Sequence, residues 1–404
     1  MPIKNDLINS QKEDGHDFFL VVPIGLEEAA QIELTEWCGV LSTEFGKEAF
    51  LFRSEIVKGG VEFRIGSPQV AFLLNACLKL ASRILQRIHV FQTRDWGVLE
   101  KELKTISWKN YFSDGILKWE ISASESRMNN EKHLAQFLEE KFENKFYFIK
   151  PGGSAAYLRV HDNVFTLSRD TSGEHLHFRG YRKHQGEAPL RENLSAFLWY
   201  FLIRNHSCIE TEKTLIIDPF VGSGTVLAEA LLWNQIIENR SFPAWNWVSK
   251  QYQSKFALIQ KRLRIVQLNL LGIDNNDEVL EKAKMNLESI HTSAAHKVKL
   301  LSGDSTNPNS DLLNEITKLN RNNNIWLISN PPYGGKGRLQ SQKTWKTLWT
   351  EALIAYQPQW ALALGPEREC KKNETFSSWT CVDTQKFLNG GIRVVASLWK
   401  KENK

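Results

Sequence analysis

Two short strings in this chain carry residue types that can do chemistry together. Asn330-Pro331-Pro332-Tyr333 combines an amide, backbone carbonyls and an aromatic ring, and Asp218-Pro219-Phe220-Val221-Gly222-Ser223-Gly224-Thr225 lies upstream of it. An exocyclic amine on a heteroaromatic base is a poor nucleophile, because its lone pair is delocalised into the ring. Two acceptors that take both N–H hydrogens can hold such a nitrogen in line with a methyl donor. The Asn330 side-chain oxygen and the Pro331 carbonyl are the candidate acceptors. The two prolines fix φ and restrict their predecessors, so both acceptors are set before a substrate arrives. Tyr333 can stack on a base face, worth about 1–3 kcal/mol. The amine sheds its proton after transfer, so no strong general base is required, and orientation with preorganised acceptors supplies the rate. A bare tetrapeptide of this kind can also be only a turn.

The upstream string looks like a strand end turning through glycines into a helix. Gly222 and Gly224 let a backbone approach a ligand closely, and a helix starting at Thr225 offers free N–H groups. Two more carboxylates sit where strands are expected to end. Asp274, with Asn275 beside it, can accept both hydroxyls of a ribose, or it can cap the next helix. Asp304, with Ser305, can accept an adenine amino hydrogen, or it can close a turn. After Tyr333 comes Gly334-Gly335-Lys336-Gly337-Arg338, where two cations among glycines suit a phosphate-contacting loop or a plain surface loop.

The elements that must position these residues follow from periodicity. From Arg191 onward strands alternate with helices. Strands are expected at 215–217, 268–273, 298–301, 325–329, 360–364 and 392–398, with helices at 192–203, 225–233, 277–290 and 345–356. That alternation predicts right-handed crossovers and a doubly wound sheet, with ligands at the carboxyl ends of its strands. Residues 236–265 break the rhythm as an aromatic insertion. Before it, residues 17–170 read as α+β, two small intertwined modules without a glycine-rich nucleotide turn. Strands are expected at 18–22, 84–91 and 116–121, with helices at 26–37, 70–80, 98–106 and 132–142. A hairpin turns at 161–163. Residues 1–16 read as a disordered leader. Residues 171–190 are the densest basic stretch, and Arg179, Arg182 and Lys183 read either as RNA contacts or as a solvated linker.

At 404 residues two or three domains are expected. A net charge of +5 permits a polyanionic partner without requiring one. The 14 Trp fit core filling or base stacking. Five Cys with no CxxC pair argue against a disulfide framework or a metal site and fit a reducing cytoplasm. No apolar run reaches membrane-spanning length.

With these residues in view, the chain resembles the THUMP-domain class I S-adenosylmethionine-dependent RNA methyltransferases, and most of all the bacterial enzymes that methylate guanine N2 in 23S ribosomal RNA. The resemblance rests on Gly25 to Glu28, on Leu78 to Leu85, on Ile106 to Trp108, and more specifically on Leu167 to Gly173, His177 to Arg182 and Ala188 to Leu194. It implies a ferredoxin-like/THUMP region at 17–170, a basic connector at 171–190, and a Rossmann-like methyltransferase domain at 191–404 with a seven-stranded, mostly parallel sheet. It also implies S-adenosylmethionine at Asp218, Gly222, Gly224, Asp274 and Asp304, with the target amine at Asn330, Pro331 and Tyr333 and the base flipped from its stack. Val221 stands where such enzymes often have Cys, and the stretch after Tyr333 departs from their usual continuation. A tRNA guanine-N2 enzyme, a DNA adenine-N6 or cytosine-N4 amino-methyltransferase and a non-catalytic RNA-binding assembly factor are the alternatives.

Overall fold

The computed structural model describes residues 15–112, 115–143, 154–184, 190–204, 213–233, 235–237, 240, 242–263, 267–290, 297–320, 324–333 and 343–402. Almost all of the expected leader, and Lys336 and Arg338, lie outside them. The chain divides into two compact units. The first holds Ala30–Leu176 with the segment before Pro23 and with Ser241–Lys261; the second holds Pro23–Ala29, His177–Arg240 and Arg262–Lys404.

The first unit is built on one seven-stranded sheet, ordered β2-β3-β1-β4-β7-β6-β5. Its strands are β1 (His16–Val21), β2 (Leu51–Val57), β3 (Gly60–Ile65), β4 (Arg83–Gln92), β5 (Ile116–Ser124), β6 (Ser154–His161) and β7 (Val164–Asp170). The helices α1 (Glu27–Phe45), α2 (Pro68–Cys77), α3 (Trp96–Lys104), α4 (Trp108–Tyr111) and α5 (Glu131–Leu138) lie between them in sequence. β4 pairs with β1 on one side and β7 on the other, so the two expected modules share a continuous sheet. The β2–β3 hairpin was not expected: Gly59-Gly60 reads as punctuation, and a bulge near Arg53 spoils the alternation of β2. Gly60 is required there, since a Cβ would fall 2.1 Å from the Leu20 carbonyl oxygen. The β6–β7 hairpin turns at Asp162 and Asn163, both at positive φ (54° and 61°). Asn163 also ties three loops together. Its side chain accepts from Arg127 N, its N–H donates to Ser126 Oγ, and its carbonyl accepts from Thr93 N.

The expected insertion goes to this first unit. A 3-10 turn (Pro243–Trp247) leads into α8 (Lys250–Arg262). Trp247 meets Phe72 edge-on at 5.3 Å, Tyr252 stacks on Phe45 at 5.2 Å and hydrogen-bonds Glu48, and Ser249 N donates to Gln69. Its aromatic residues are packing material.

The second unit carries the alternation. Its elements are α6 (Glu192–Arg204), β8 (Leu215–Asp218), α7 (Thr225–Leu231), β9 (Asn269–Asp274), α9 (Asp277–Glu288), β10 (Lys297–Ser302), α10 (Ser310–Leu319), β11 (Ile325–Ser329), α11 (Trp345–Tyr356), β12 (Trp360–Pro366), β13 (Thr375–Phe376), β14 (Trp379–Asn389) and β15 (Ile392–Lys401). The sheet order is β10-β9-β8-β11-β12-β15-β14-β13. The first five strands run parallel and β15, β14 and β13 antiparallel. This is a Rossmann-like sheet with its order reversing at β8. Two-residue β13 adds an eighth strand to the seven expected. Trp345, Trp349, Trp379 and Trp399 are buried in one apolar cluster of this sheet, which places these residues in the core. No helix among the described residues is long and apolar enough to cross a membrane.

Asn163 makes the loop knot testable. Asn163→Ala keeps a positive-φ position without the amide and strips the Arg127 N–H of its acceptor, an expected loss of about 2 kcal/mol. Chemical denaturation would read it, with Asn163→Gly losing less; equal stability of wild type and the Ala variant would contradict the knot.

Candidate active site at the carboxyl edge of the parallel sheet

β8 and β11 are neighbouring parallel strands, so the glycine turn and the Asn-Pro-Pro-Tyr loop leave the same edge of the sheet. One hydrogen bond joins them. Ser329 Oγ, on the last residue of β11, donates to Asp218 Oδ1 at 2.5 Å, and Phe220 N donates to the same oxygen at 3.1 Å. Both Asp218 and Ser329 are fully buried. Asp218 Oδ2 has no partner among the described residues. Burial pushes the Asp218 carboxyl up to about 7, against the Ser329 and Phe220 hydrogen bonds that pull it down.

Beyond Ser329, the Asn330 Oδ1 is buried and likewise has no partner among the described residues. Pro331 is buried and Pro332 exposed. The Tyr333 ring packs partly against the sheet's apolar cluster, with its hydroxyl 3.5 Å from Asn389 Nδ2. Burial raises the Tyr333 pKa, so the phenol stays protonated at neutral pH.

Along the glycine turn, Asp218, Pro219, Ser223, Gly224 and Thr225 are buried, whereas Phe220 and Gly222 are partly exposed. Asp218, Ser223 and Thr225 are buried, so the part of the turn open to solvent is at Phe220 and Gly222. Gly222 has φ +52°, and a Cβ there would meet only the Phe220 carbonyl, at 4.0 Å, so open space lies above it. Gly224 has φ +83°, and a Cβ at that position would fall 3.3 Å from Ala283 Cβ, so glycine lets the turn settle on α9. The turn is braced from behind. Asn286 on α9 donates to the Ser223 carbonyl, Ser195 to the Thr225 carbonyl and Trp199 to the Val226 carbonyl.

Asp274 closes β9 beside this turn. Gly222 N donates to its Oδ2 and Asn276 N to its Oδ1, each at 3.1 Å. Asn276 supplies the cap of α9, accepting from Glu278 N and Val279 N, so Asp274 is not spent as a cap. Burial raises the Asp274 pKa, opposed by those backbone hydrogen bonds. An open recess of about 420 Å³ is lined by Asn275, Asn276, Asp277 and Glu278. Asp304 is exposed and accepts from Thr306 N and Oγ1, so it closes its own turn. Burial pushes its carboxyl upward, but the Thr306 and Asn307 hydrogen bonds outweigh this and the pKa is lowered. Ser305 is buried.

Among the described residues of the basic connector, Arg179 and Arg182 turn to internal carboxylates. The Arg179 guanidinium is fully buried and pairs with Glu229 at 3.4 Å, with Tyr181 donating to the same carboxylate at 3.0 Å. Arg182 pairs with buried Glu192 and donates to the Leu190 carbonyl at 2.7 Å. Both arginines are corrected to internal partners. Lys183 is exposed, but its backbone N–H donates to Asn286. Ser329 and Asn286 brace the candidate site and are missed by the sequence; the only signal for Ser329 is its place before Asn330. No group of ligating side chains able to hold a metal occurs among the described residues.

Residues 179–373 match the family model described as RMKL-like, methyltransferase domain (UPF0020). The "Ribosomal RNA large subunit methyltransferase K/L" of Shewanella baltica strain OS185 is 27% identical over 342 residues, covering 79% of this chain and 44% of the relative. The chain thus spans less than half the length of the curated relatives it matches. A solved structure titled as a "predicted N6-adenine-specific DNA methylase" from Listeria monocytogenes str. 4b F2365 aligns with TM-score 0.75 at 20% identity, covering 99% of both chains. SMU.472, solved in complex with SAH, aligns with TM-score 0.72 at 20% identity, covering 97% of this chain and 99% of its own. These structural likenesses concern the fold alone.

Two outcomes are expected from this geometry. Because Asp218 holds its proton more tightly folded than unfolded, its contribution to stability is fully present below about pH 4 and is lost as pH rises towards 7, by up to roughly 4 kcal/mol. Asp218→Asn removes that term, so the melting-temperature difference between variant and wild type should move in the variant's favour between pH 4 and 7; parallel profiles would refute the buried-acid reading. Arg182→Ala leaves Glu192 buried without its partner and should cost about 3–5 kcal/mol. An unchanged melting temperature would return Arg182 to the surface.

Proposed function

We propose that this chain, whose residues 179–373 form an RMKL-like methyltransferase domain, is an S-adenosylmethionine-dependent RNA methyltransferase acting on the exocyclic N2 of a guanine in large-subunit ribosomal RNA. The observation that carries the reading is the buried Asn330 Oδ1, without a partner among the described residues and held next to the glycine turn through Ser329 and Asp218. A buried acceptor left unpaired costs about 1–3 kcal/mol. An amine N–H entering the site would repay that cost.

The residues present fit the cofactor. Open space over Gly222 accepts a ligand against the backbone, and the Asp274 carboxylate, fixed by Gly222 N and Asn276 N, keeps lone pairs for ribose hydroxyls. Asn275 lines the adjoining recess, and Asp304 with Ser305, after the end of β10, would take the adenine side. S-adenosylmethionine supplies an electrophilic methyl carbon on sulfur. This chain's part is orientation. Asn330 Oδ1 and the Pro331 carbonyl would each accept one hydrogen of the amine, turning its lone pair towards the methyl. Tyr333 would stack on the flipped base, and Pro331 and Pro332 would keep the acceptors from relaxing. Once methylated, the nitrogen held by Asn330 and Pro331 would be cationic and would lose its proton to water.

An amine clamp of this kind would also serve adenine N6 or cytosine N4. RNA is favoured by the name of the Shewanella relative, and guanine N2 by the sequence's likeness to the guanine-N2 enzymes. The lack of membrane-crossing helices among the described residues and the absence of paired cysteines in CxxC motifs fit a cytoplasmic enzyme. Labelled methyl incorporation into protein-free 23S rRNA, tRNA and duplex DNA decides among them. Counts in rRNA, mapped to N2-methylguanosine by mass spectrometry, are expected; counts only in DNA or only in tRNA would overturn the assignment. Asn330→Ala should lower kcat by about 10²–10³, the scale of losing one preorganised polar contact, with cofactor Kd nearly unchanged. Equal loss of both would contradict the clamp.

A further inference from the structure

The β14–β15 hairpin ends beside the amine loop, and its tip has properties that the reaction alone does not use. Asn389 and Ile392 are cross-strand partners flanking the Gly390-Gly391 turn, both glycines at positive φ (56° and 87°). Partners directly opposite share a face of the sheet. Asn389 touches the Tyr333 hydroxyl at 3.5 Å, so Ile392 lies on the face that meets Tyr333. Ile392 is 57% exposed, a large apolar side chain with solvent around it. Arg191, the residue before α6, adds a cation. A Cβ built on Gly390 would lie 3.9 Å from its Nη2, and Arg191 is exposed with no paired carboxylate among the described residues. Phe197 of the same helix packs edge-on against Phe387 of β14 at 5.3 Å, which holds the helix start and the hairpin together.

A cation and an exposed branched apolar side chain thus lie at the hairpin tip that meets Tyr333, at the far end of the Asn330–Tyr333 loop. We infer that this hairpin tip with Arg191 is the docking rim for the RNA strand that carries the target nucleotide. Arg191 grips a phosphate flanking the target, and Ile392 wedges against the base step that the target leaves. The inference rests on the methyltransferase reading and names where the strand is held. A nucleotide taken from its stack leaves a gap, and apolar side chains are inserted at unstacked steps in nucleic-acid complexes. A phosphate contact fixes register without reading sequence. A protein partner would find here a single apolar side chain ringed by cation and amide, too little for a buried interface core.

The test compares wild type, Arg191→Ala and Ile392→Ser for RNA KM, kcat and salt dependence, with cofactor Kd and melting temperature measured in parallel. Both positions are exposed, so melting temperatures within about 2 °C are expected, in line with surface substitutions. Arg191→Ala should raise the RNA KM about tenfold and reduce the slope of log K against log salt by about 0.7–0.9, one phosphate contact, with cofactor Kd unchanged. Ile392→Ser should lower kcat/KM about tenfold on a base-paired target and by less than twofold on an unpaired oligonucleotide, where no step has to be opened. If wild type methylates RNA and both variants match it on both substrates, the rim is wrong and the methyltransferase reading stands. If wild type methylates no RNA, both fall. Rescue of RNA KM by Arg191→Lys supports a phosphate contact, since a point charge still serves there.

Discussion

The candidate site depends on one buried contact, Ser329 Oγ to Asp218 Oδ1. A parallel pair of strands sets two chain ends at one edge, but it does not fix how the loops beyond them are oriented. The serine hydroxyl does this by locking the last residue of β11 to the last residue of β8, one residue before the amide that would take the amine. The lock is expensive. Asp218 is removed entirely from water and its second oxygen has no partner among the described residues. An uncharged residue would fold more comfortably there, and strain of this sort persists where the surroundings over-determine it and function uses it.

The surroundings do over-determine it. Asp274 holds Gly222 from the neighbouring strand end, while Asn286, Ser195 and Trp199 hold the carbonyls of Ser223, Thr225 and Val226 from behind. Asn286 is wholly buried, and its carboxamide also accepts from Lys183 N and His184 N and donates to the His184 carbonyl. One amide therefore links the connector to the glycine turn. With the Arg179–Glu229 and Arg182–Glu192 pairs beside it, the described part of the connector is a buried polar network in which opposite charges are paired. Such a network adds little net stability but penalises every wrong register. A turn whose geometry must be correct to within a fraction of an ångström benefits from that penalty.

Much of this arrangement is legible in the sequence because the chemistry is local. Asp218, Asp274 and Asn330 each sit where an apolar run stops at a breaker, and that pattern places strand ends reliably. Ser329 is invisible, since a serine ending a strand reads the same whether or not a carboxylate waits beside it. Arg179 and Arg182 mislead for a related reason. A run of cations looks solvated until a distant carboxylate is known to close on it, and Glu229 lies on a helix that sequence spacing does not bring near. β14 escapes detection because its alternation is broken by a register shift between Cys381 and Asp383. The aromatic insertion stands out, but its destination does not, since Phe45 and Phe72 are partners far away in sequence.

The proposed acceptors, Asn330 Oδ1, which has no partner among the described residues, and the Pro331 carbonyl, bear on why the proposed transfer would need no general base. A base would have to remove a proton from an amine whose lone pair is already withdrawn into the ring, which is costly before transfer and easy after it. Acceptors that only hold hydrogens avoid that problem, since hydrogen bonding to both N–H groups directs the lone pair without ionising anything. Tyr333 fits the same logic, because burial keeps its phenol neutral and the ring remains a stacking surface instead of a competing charge. In the proposed reaction the chain's contribution would thus be rigidity around the nitrogen, and the proton would leave once the new bond had made it acidic.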